Sequence, residues 1–365
     1  MRSHPTTAEL QIDLSALQNN WRRFGTLAPG CTVASMVKAD AYGLGADQVA
    51  PALAGAGCRE FFVAEPGEGV ALRSLLPDVD IHVLSGDSAG TEATFDSHRL
   101  IPVLISLEQV ERWSLHARRS GRPRAATLHF DTGMNRTGLD ARESATILAD
   151  PSILEGIELV TVMSHLACAD EPDHDFNIRQ RERFVRIRER LPAGRASLVN
   201  SPGVGLGASY HFDHVRPGIG LYGVDPTPDS RLRVSPVITL TAPVMQVRTA
   251  ATGDTVGYGA SRRFTSERQL ATLPLGYADG YHRAASDVGY VAFSGHRAPI
   301  VGRVSMDLLT VDITDLPADV RVEPGTTAEL IGATVTINEV AAAAATIPYE
   351  VLTNLGQRYA RIYTH

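Results

Sequence analysis

The amino-acid sequence predicts an α/β protein in which an eight-stranded β/α (TIM) barrel is followed by a mostly-β C-terminal domain. Three features lead to this prediction. From about residue 13, short apolar runs alternate with segments of helical periodicity, which is the pattern of βα units. Eight such runs precede residue 217, matching the strand count of a β/α barrel. Beyond residue 229, period-two stretches with glycine-containing connections indicate β-structure instead.

The barrel elements are predicted in chain order. Asp13 is a suitable N-cap for a first helix, whose apolar residues recur on one face: Leu14, Leu17, Trp21 and Phe24. The predicted strands are Thr32–Val37, Phe61–Ala64, Ile81–Ser85, Ile101–Ile105, Thr127–Phe130, Leu159–Met163, Ala196–Val199 and His214–Arg216. The predicted helices between them include Ala46–Ala56, Leu107–Arg119, Ala141–Ala149 and Phe176–Arg190.

The prolines and aspartates of residues 225–229 cannot continue a helix or a central strand, so this stretch is interpreted as a linker. The barrel domain is therefore predicted over residues 1–230 and the β domain over 231–365, with the segment up to residue 12 free to pair with the second domain. Strands are predicted at Val237–Val247, Arg268–Pro274, Gly289–Phe293, Leu308–Ile313 and Thr327–Ile331, and a short helix at Ala341–Thr346 with a helix start at Pro348.

Composition excludes several classes of protein. The formal net charge is −7 and the basic residues form no stripe, so nucleic acid is not expected as a partner. The N-terminal region lacks the apolar core of a signal peptide, and no run reaches the roughly 18 apolar residues of a membrane span. We therefore expect a cytoplasmic protein without a membrane partner. Cys31, Cys58 and Cys168 are odd in number and far apart, which predicts free thiols and neither disulfides nor a metal site.

Lys38 closes the first predicted strand, and two glycines follow in the turn before a helix. In a β/α barrel the carboxyl ends of the strands face the active-site mouth, where a partly desolvated lysine amine has a lowered pKa and becomes nucleophilic. A solvated surface lysine beside a glycine-rich turn fits the same position. Position and spacing alone leave both interpretations open.

The segment VKADAYGLGA at residues 37–46 resembles the cofactor-lysine motif of the alanine racemase family. Further segments that resemble this family follow in order: FDTGMNRTG at 130–138, MSHLACADEP at 163–172, NSPG at 200–203, YHFDHVRPGIGLYG at 210–223, VGYGA at 256–260, LPLGYADGY at 273–281, VGRVSMD at 301–307 and IPYEVLTNLGQR at 347–358. The resemblance implies a barrel with a C-terminal β domain, pyridoxal 5′-phosphate as cofactor, and a homodimer whose active sites are built from both subunits.

Racemisation needs acid/base groups on opposite faces of the substrate. The resemblance implies Lys38 for the D-substrate face and Tyr258, from the partner subunit, for the L-substrate face. Because a phenol has a pKa near 10, its anion needs stabilisation, and the family assigns this role to a hydrogen-bonded chain through His165 and Arg216. Without the resemblance, Tyr258 is equally a tyrosine in a β-turn and His165 a structural histidine.

The resemblance also implies the binding residues. Arg216 would donate to the pyridine nitrogen, and because an arginine keeps its own proton, this nitrogen would stay unprotonated and side reactions such as transamination would be suppressed. The phosphate would be held by the amides of Gly218 and Ile219 and the hydroxyls of Ser201, Tyr42 and Tyr349. The substrate carboxylate would be bound by Arg136 and by the backbone N–H of the partner's Met306. Tyr277 and Asp307 would lie near the substrate entryway.

One position departs from the family pattern. Many members carry a carbamylated lysine, whose negative charge orients the substrate-binding arginine, where this chain has His129. An imidazole cannot supply that anion, so Arg136 is expected to be oriented by Asp131, by a bound anion or by His129. The alternatives left open are a serine or broad-specificity racemase, a decarboxylase with the same domain plan, and a non-catalytic pyridoxal-phosphate-binding protein.

Overall fold

A computed structural model describes residues 7–191, 194–227, 229 and 231–365, so Pro228 of the predicted linker lies outside the described residues. The chain divides into two compact units. The barrel unit comprises Leu17–Ala41 and Gly45–Ser235. Of the described residues, the β unit comprises those up to Ala16, Tyr42–Leu44 and Pro236–His365.

The strands of the first two thirds of the chain are β1 (Glu9–Asp13), β2 (Thr32–Val33), β3 (Ser35–Met36), β4 (Glu60–Val63), β5 (Asp80–Val83), β6 (Leu100–Leu104), β7 (Arg124–His129), β8 (Ile157–Met163), β9 (Arg195–Ser197) and β10 (His214–Val215). The helices are α1 (Leu14–Leu27), α2 (Lys38–Tyr42), α3 (Ala46–Ala56), α4 (Pro66–Leu75), α5 (Glu92–Ser97), α6 (Leu107–Ser120), α7 (Ala141–Ala149), α8 (Asp175–Arg188) and α9 (Ser201–Val204).

The strands of the barrel unit form a parallel ring. Strands β3 to β9 make a seven-stranded sheet in chain order, and β10 pairs in parallel with β2. Ala34 alone separates β2 from β3, so these two short strands occupy one position of the ring. The Arg216 N–H donates to the Val199 carbonyl oxygen at 3.0 Å, and this hydrogen bond links the segment after β10 to the segment after β9. The ring therefore has eight positions, and the predicted β/α-barrel fold class is confirmed.

Helix α1 shows why the first helix forms where it does. The Ala16 N–H donates to the Asp13 side chain at 2.8 Å, which is the predicted N-cap. Leu17 and Phe24 of its apolar face are fully buried. Phe24 lies so close to Gly220 that a Cβ at residue 220 would stand 2.6 Å from its ring, so the chain needs glycine there.

Helices α4 and α5 of the barrel unit were not predicted from the sequence. Helix α4 begins with Pro66 and contains Gly67 and Gly69, and glycine is a poor helix former. Gly69 is closely packed, because a Cβ there would lie 3.1 Å from the Leu100 side chain. Helix α5 spans only 6 residues, too few for a clear periodic signal.

The β unit contains β11 (Ile238–Pro243), β12 (Gln246–Ala250), β13 (Thr255–Val256), β14 (Arg262–Arg263), β15 (Arg268–Leu273), β16 (Tyr290–Phe293), β17 (His296–Pro299), β18 (Leu309–Asp312), β19 (Thr327–Ile331) and β20 (Ala360–Thr364), with helices α10 (Ile337–Ala343) and α11 (Pro348–Asn354). A six-stranded sheet has the order β17-β16-β19-β11-β1-β20, in which β1 is antiparallel to β11 and parallel to β20. A second sheet has the order β12-β15-β18, and β13 pairs with β14.

The mostly-β character predicted for this part of the chain is thus confirmed. The three cysteines are free thiols, as predicted. In the described part of the chain, none of the helices combines the length and apolar character needed to cross a membrane.

Candidate functional site

Lys38 opens α2, whose backbone is a left-handed turn and not a regular α-helix. The four residues after Lys38, 39–42, have φ values between 52° and 56°, in the left-handed region. Each non-glycine residue in this region costs roughly 1–2 kcal/mol, so such a turn persists only where its surroundings hold it. Two carboxylates do so: Glu68 accepts from the Ala39 N–H at 2.6 Å, and Asp40 accepts from the Ala46 N–H at 2.7 Å.

The amine of Lys38 is half-buried in the barrel unit. Burial lowers its pKa, the positive charge of Arg136 lowers it further, and the negative charge of Glu68 opposes both effects. A larger fraction of the amine is therefore neutral than for a surface lysine at the same pH. A neutral amine is the form that acts as a nucleophile or a base.

Arg216, directly after β10, is a buried guanidinium held by neutral acceptors. It donates to the Ser197 hydroxyl and to the carbonyl oxygens of Ser164 at 2.7 Å and Leu198 at 3.5 Å. Among the described residues, no carboxylate lies within ion-pair distance of it. Burial lowers the pKa of Arg216 to about 9, so the group stays protonated at neutral pH. Three contacts use three of its five N–H donors, which leaves capacity for a further acceptor.

His129 and His165 end neighbouring segments of the ring and are neutral. Burial and then the charge of Arg216 lower the pKa of His129 to about 4, while Asp131 opposes the shift. Burial and then the charges of Arg216 and Arg136 hold the pKa of His165 well below its usual value. Neutral imidazoles beside a guanidinium can donate and accept hydrogen bonds without adding charge.

The backbone around His165 is fixed by the buried side chain of Gln180 in α8. Its Nε2 donates to the His165 carbonyl oxygen at 2.9 Å and to the Thr132 hydroxyl at 3.2 Å, and its Oε1 accepts from the Ala167 N–H at 2.8 Å. Thr132 shares a hydrogen bond of 2.7 Å with the Ser164 hydroxyl. A satisfied buried network of this kind makes the segment after β8 rigid.

Arg136 lies on an exposed loop that Asp131 folds. The Asp131 carboxylate accepts from the backbone N–H groups of Gly133 at 2.7 Å, Met134 at 2.8 Å and Asn135 at 2.9 Å. Arg136 follows the carboxyl end of β7, and its charge lowers the pKa values of Lys38, His129 and His165. Asp131 thus orients the loop that carries Arg136. The side chain at position 129 is a neutral imidazole, which supplies no negative charge to this loop.

Ser201 forms a small cradle with the segment after Arg216. Its hydroxyl oxygen accepts from the backbone N–H groups of Gly218 at 2.8 Å and Gly220 at 3.1 Å. Because the oxygen accepts twice, its own O–H remains a donor. Asn200 caps the short helix α9 by accepting from the Gly203 N–H at 3.1 Å. A buried hydroxyl whose O–H remains a donor suits an oxygen of an anion.

The remaining candidate residues lie in the β unit. The rings of Tyr42 and Tyr349 are 6.3 Å apart, and burial raises the pKa of Tyr42. Tyr258 opens a short turn between β13 and β14 and is 71% exposed, and Met306 is 53% exposed. Tyr277 is also exposed, and Asp307 accepts from Arg358 at 2.7 Å.

Sequence reasoning missed the residues that hold this site in place. Glu68 carried a weak signal, since a glutamate three residues after Glu65 fits a capping box, but the intervening Pro66 and Gly67 obscured it. Gln180 and Ser197 carried none, because their roles depend on contacts between segments far apart in the chain.

Comparison with known proteins adds independent findings. The family model described as "Alanine racemase, N-terminal domain" matches residues 12–226, and the one described as "Alanine racemase, C-terminal domain" matches residues 237–363. The alanine racemase of Rhodospirillum rubrum is 46% identical over 359 residues, which cover 98% of this chain and 96% of that protein. The alanine racemase of Brucella abortus is 45% identical over 370 residues, which cover 98% of this chain and 93% of that protein.

Solved structures agree with the sequence comparison. The crystal structure of alanine racemase from Bartonella henselae with covalently bound pyridoxal phosphate matches with a TM-score of 0.94 at 40% identity. The match covers 99% of this chain and 100% of that one.

Proposed function

We propose a two-base mechanism for this chain, which belongs to the alanine racemase family and is an enzyme that interconverts the mirror-image forms of alanine. The observation that carries the mechanism is the half-buried Lys38 amine, whose pKa is lowered by burial and by the charge of Arg136 against the opposing charge of Glu68. Lys38 would serve the D-substrate face, and Tyr258 of a second copy would serve the L-substrate face.

The residues of the barrel unit fit pyridoxal 5′-phosphate. A buried Arg216 with donors to spare suits a basic ring nitrogen, and the Ser201 hydroxyl suits a phosphate oxygen. Lys38 would bond to the cofactor covalently, and Tyr42, Ser201, Gly218, Ile219 and Tyr349 would hold its phosphate. When bound, the cofactor withdraws electrons from the α-carbon of an amino acid and so makes the α-proton acidic.

Proton transfer on the D-substrate face falls to the Nζ atom of Lys38. Because burial and the charge of Arg136 lower its pKa, a larger fraction of Nζ is neutral and able to accept a proton and return it. The Arg136 guanidinium is exposed and would bind the substrate carboxylate. The backbone N–H of Met306 from the second copy would donate to the same carboxylate.

Proton transfer on the opposite face falls to the Tyr258 hydroxyl. This side chain is 71% exposed on its own chain, as expected for a group that completes a site on a second copy. His165, neutral and beside the charge of Arg216, would stabilise the phenolate through a hydrogen-bonded chain. Tyr277 and Asp307 would line the substrate entryway. The enzyme would therefore act as a homodimer.

The decisive experiment assays a panel of L-amino acids for the D-product, with solvent deuterium incorporation at the α-carbon as the second readout. The wild-type protein should convert alanine, and Lys38→Ala should neither convert it nor show a visible cofactor band that borohydride bleaches. Equal conversion of serine would identify a broad-specificity racemase. A cofactor band that borohydride bleaches, without deuterium incorporation into any amino acid, would identify a non-catalytic pyridoxal-phosphate protein. Unaltered activity of Lys38→Ala would refute the mechanism.

A further inference from the structure

The carboxylate of Glu68 joins the turn that carries Lys38 to the neighbouring strand of the barrel. Its Oε1 accepts from the Ala39 N–H at 2.6 Å, and its Oε2 accepts from the Ala64 N–H at 2.7 Å. Ala39 directly follows Lys38, and Ala64 directly follows β4. One side chain therefore bridges the carboxyl ends of β3 and β4, next to the residue that carries the reacting amine.

The backbone turn that Glu68 holds is strained without such support. Residues 39–42 all have φ between 52° and 56°, which L-amino acids adopt in sequence only when other contacts impose it. Glu68 fixes the first residue of this turn. Asp40 accepts from the Ala46 N–H at 2.7 Å and fixes its exit into α3. Loss of the Glu68 contact would free the end of the turn that sets the direction of the Lys38 side chain.

Glu68 is also the negative charge that acts on the Lys38 amine. Its charge raises the pKa of Lys38, against the larger lowering by burial and by the guanidinium of Arg136. The charge of the Lys38 amine also lowers the pKa of His165. Because that pKa lies well below its usual value, His165 is neutral. Removal of the Glu68 charge should therefore lower the pKa of the amine.

We propose that Glu68 is a positioning residue for Lys38, because its carboxylate fixes the left-handed turn from which the amine reaches its target. This role rests on the proposed function of Lys38 in cofactor attachment and proton transfer. Glu68 itself need not touch the substrate or the cofactor.

The chain offers a matched control in Glu143. Like Glu68, it occupies the third position of a helix, forms a capping box, and is half-buried. Its Oε1 accepts from the Leu107 N–H at 2.9 Å and its Oε2 from the Asp140 N–H at 3.1 Å, so it also bridges two segments of the barrel. It does not act on the pKa of Lys38.

The test uses Glu68→Asp, Glu68→Gln, Glu143→Gln and Lys38→Ala. Apoprotein of each is mixed with pyridoxal 5′-phosphate, and the growth of the visible absorbance band gives the rate at which Lys38 forms its covalent bond. Glu68→Asp keeps the charge but is one methylene too short to reach both amides. Its rate should fall about tenfold or more, since a misplacement on the order of 1 Å has such effects. Glu143→Gln should lower Tm and leave the rate unchanged.

Glu68→Gln tests the charge. The pH at which kcat for D-alanine reaches half of its maximum should be lower in Glu68→Gln than in the wild type. It should be unchanged in Glu68→Asp and Glu143→Gln. If Glu68→Asp does not fold, Glu68→Gln supplies both readouts. A wild-type attachment rate in Glu68→Asp together with an unmoved pH midpoint in Glu68→Gln would overturn the role of Glu68. Activity and a bleachable band in Lys38→Ala would instead overturn the proposed function, whatever Glu68 shows.

Discussion

The guanidinium of Arg216 donates to the carbonyl oxygen of Ser164 at 2.7 Å, so a buried positive charge is held by a neutral acceptor and faces no carboxylate among the described residues. A buried, unpaired charge is unfavourable unless a ligand or hydrogen bonds satisfy it. The other contacts of this guanidinium are the Ser197 hydroxyl and the Leu198 carbonyl oxygen, both uncharged. Three contacts use three of its five N–H donors, so the guanidinium can donate to one further acceptor, such as an unprotonated pyridine nitrogen.

Arg216→Lys should reduce kcat for alanine by about ten- to a hundredfold. An ammonium is a compact point charge that cannot serve the Ser197 hydroxyl, the Ser164 carbonyl oxygen and a ring nitrogen together, and one hydrogen bond to a charged group contributes roughly 1.5–3 kcal/mol. The measurement is kcat at saturating alanine, with Tm as a check on folding. Ser197→Ala, which removes one of the three partners, should show a smaller loss; a loss as large as that of Arg216→Lys would contradict this account.

Protonation of His129 should destabilise the folded protein below neutral pH. Its pKa is about 4 when folded and near 6.5 when unfolded, so the unfolded chain binds the proton more tightly. Stability from the neutral imidazole is complete above about pH 6.5 and is lost as the pH falls toward 4. Between about pH 7 and pH 5 this one group should cost roughly 2 kcal/mol.

The measurement is urea unfolding at a fixed protein concentration, for the wild type and for His129→Gln, which stays neutral throughout. The wild type should lose roughly 2 kcal/mol more than the variant over this pH range. The other buried histidines are present in both proteins, so the difference reports His129 together with its effect on the pKa of His165. Parallel pH dependences of the two proteins would show that His129 is not the group that titrates.

The fold was predictable where local signals decide it. Helix α3 has the predicted bounds Ala46–Ala56, because Gly45 and Gly57 flank an unbroken apolar face. The left-handed turn after Lys38 was not predictable, because the contact that holds Ala39 comes from Glu68, 29 residues further along the chain. The neutral state of His129 likewise depends on burial and on the distant Arg216. Identities of candidate site residues came from motifs, but their protonation and support come from tertiary packing.

Alanine binding by this enzyme should not depend on carbon dioxide. A lysine carbamate needs a free amine, and residue 129 is a buried imidazole whose pKa is about 4. Asp131 already orients the loop of Arg136 through three backbone amides. KM for L-alanine should therefore be the same in bicarbonate-depleted and bicarbonate-supplemented buffer.

His129→Lys is the matched variant for the carbon dioxide test. It would place a further cation near Arg216 and Arg136 unless the new amine becomes carbamylated, so its Tm should rise and its KM should fall when bicarbonate is added. A wild-type KM that rises on removal of bicarbonate would mean that another group supplies a carbamate or binds the anion.

Two inactive variants should restore activity to each other if each active site takes Tyr258 from the second copy. In a mixed dimer of Lys38→Ala and Tyr258→Phe, one site lacks both groups and the other has an intact Lys38 facing an intact Tyr258. Random pairing makes half of the dimers mixed, and each mixed dimer has one working site of two, so about a quarter of wild-type activity should return. The measurement is alanine racemisation after co-expression, with each variant alone as the control. Each variant alone should lose about a hundredfold or more in kcat, as expected when an acid/base group is removed. If Tyr258 served the site of its own chain, every mixed dimer would contain one site without Lys38 and one without the phenol, and no activity above the separate variants would appear.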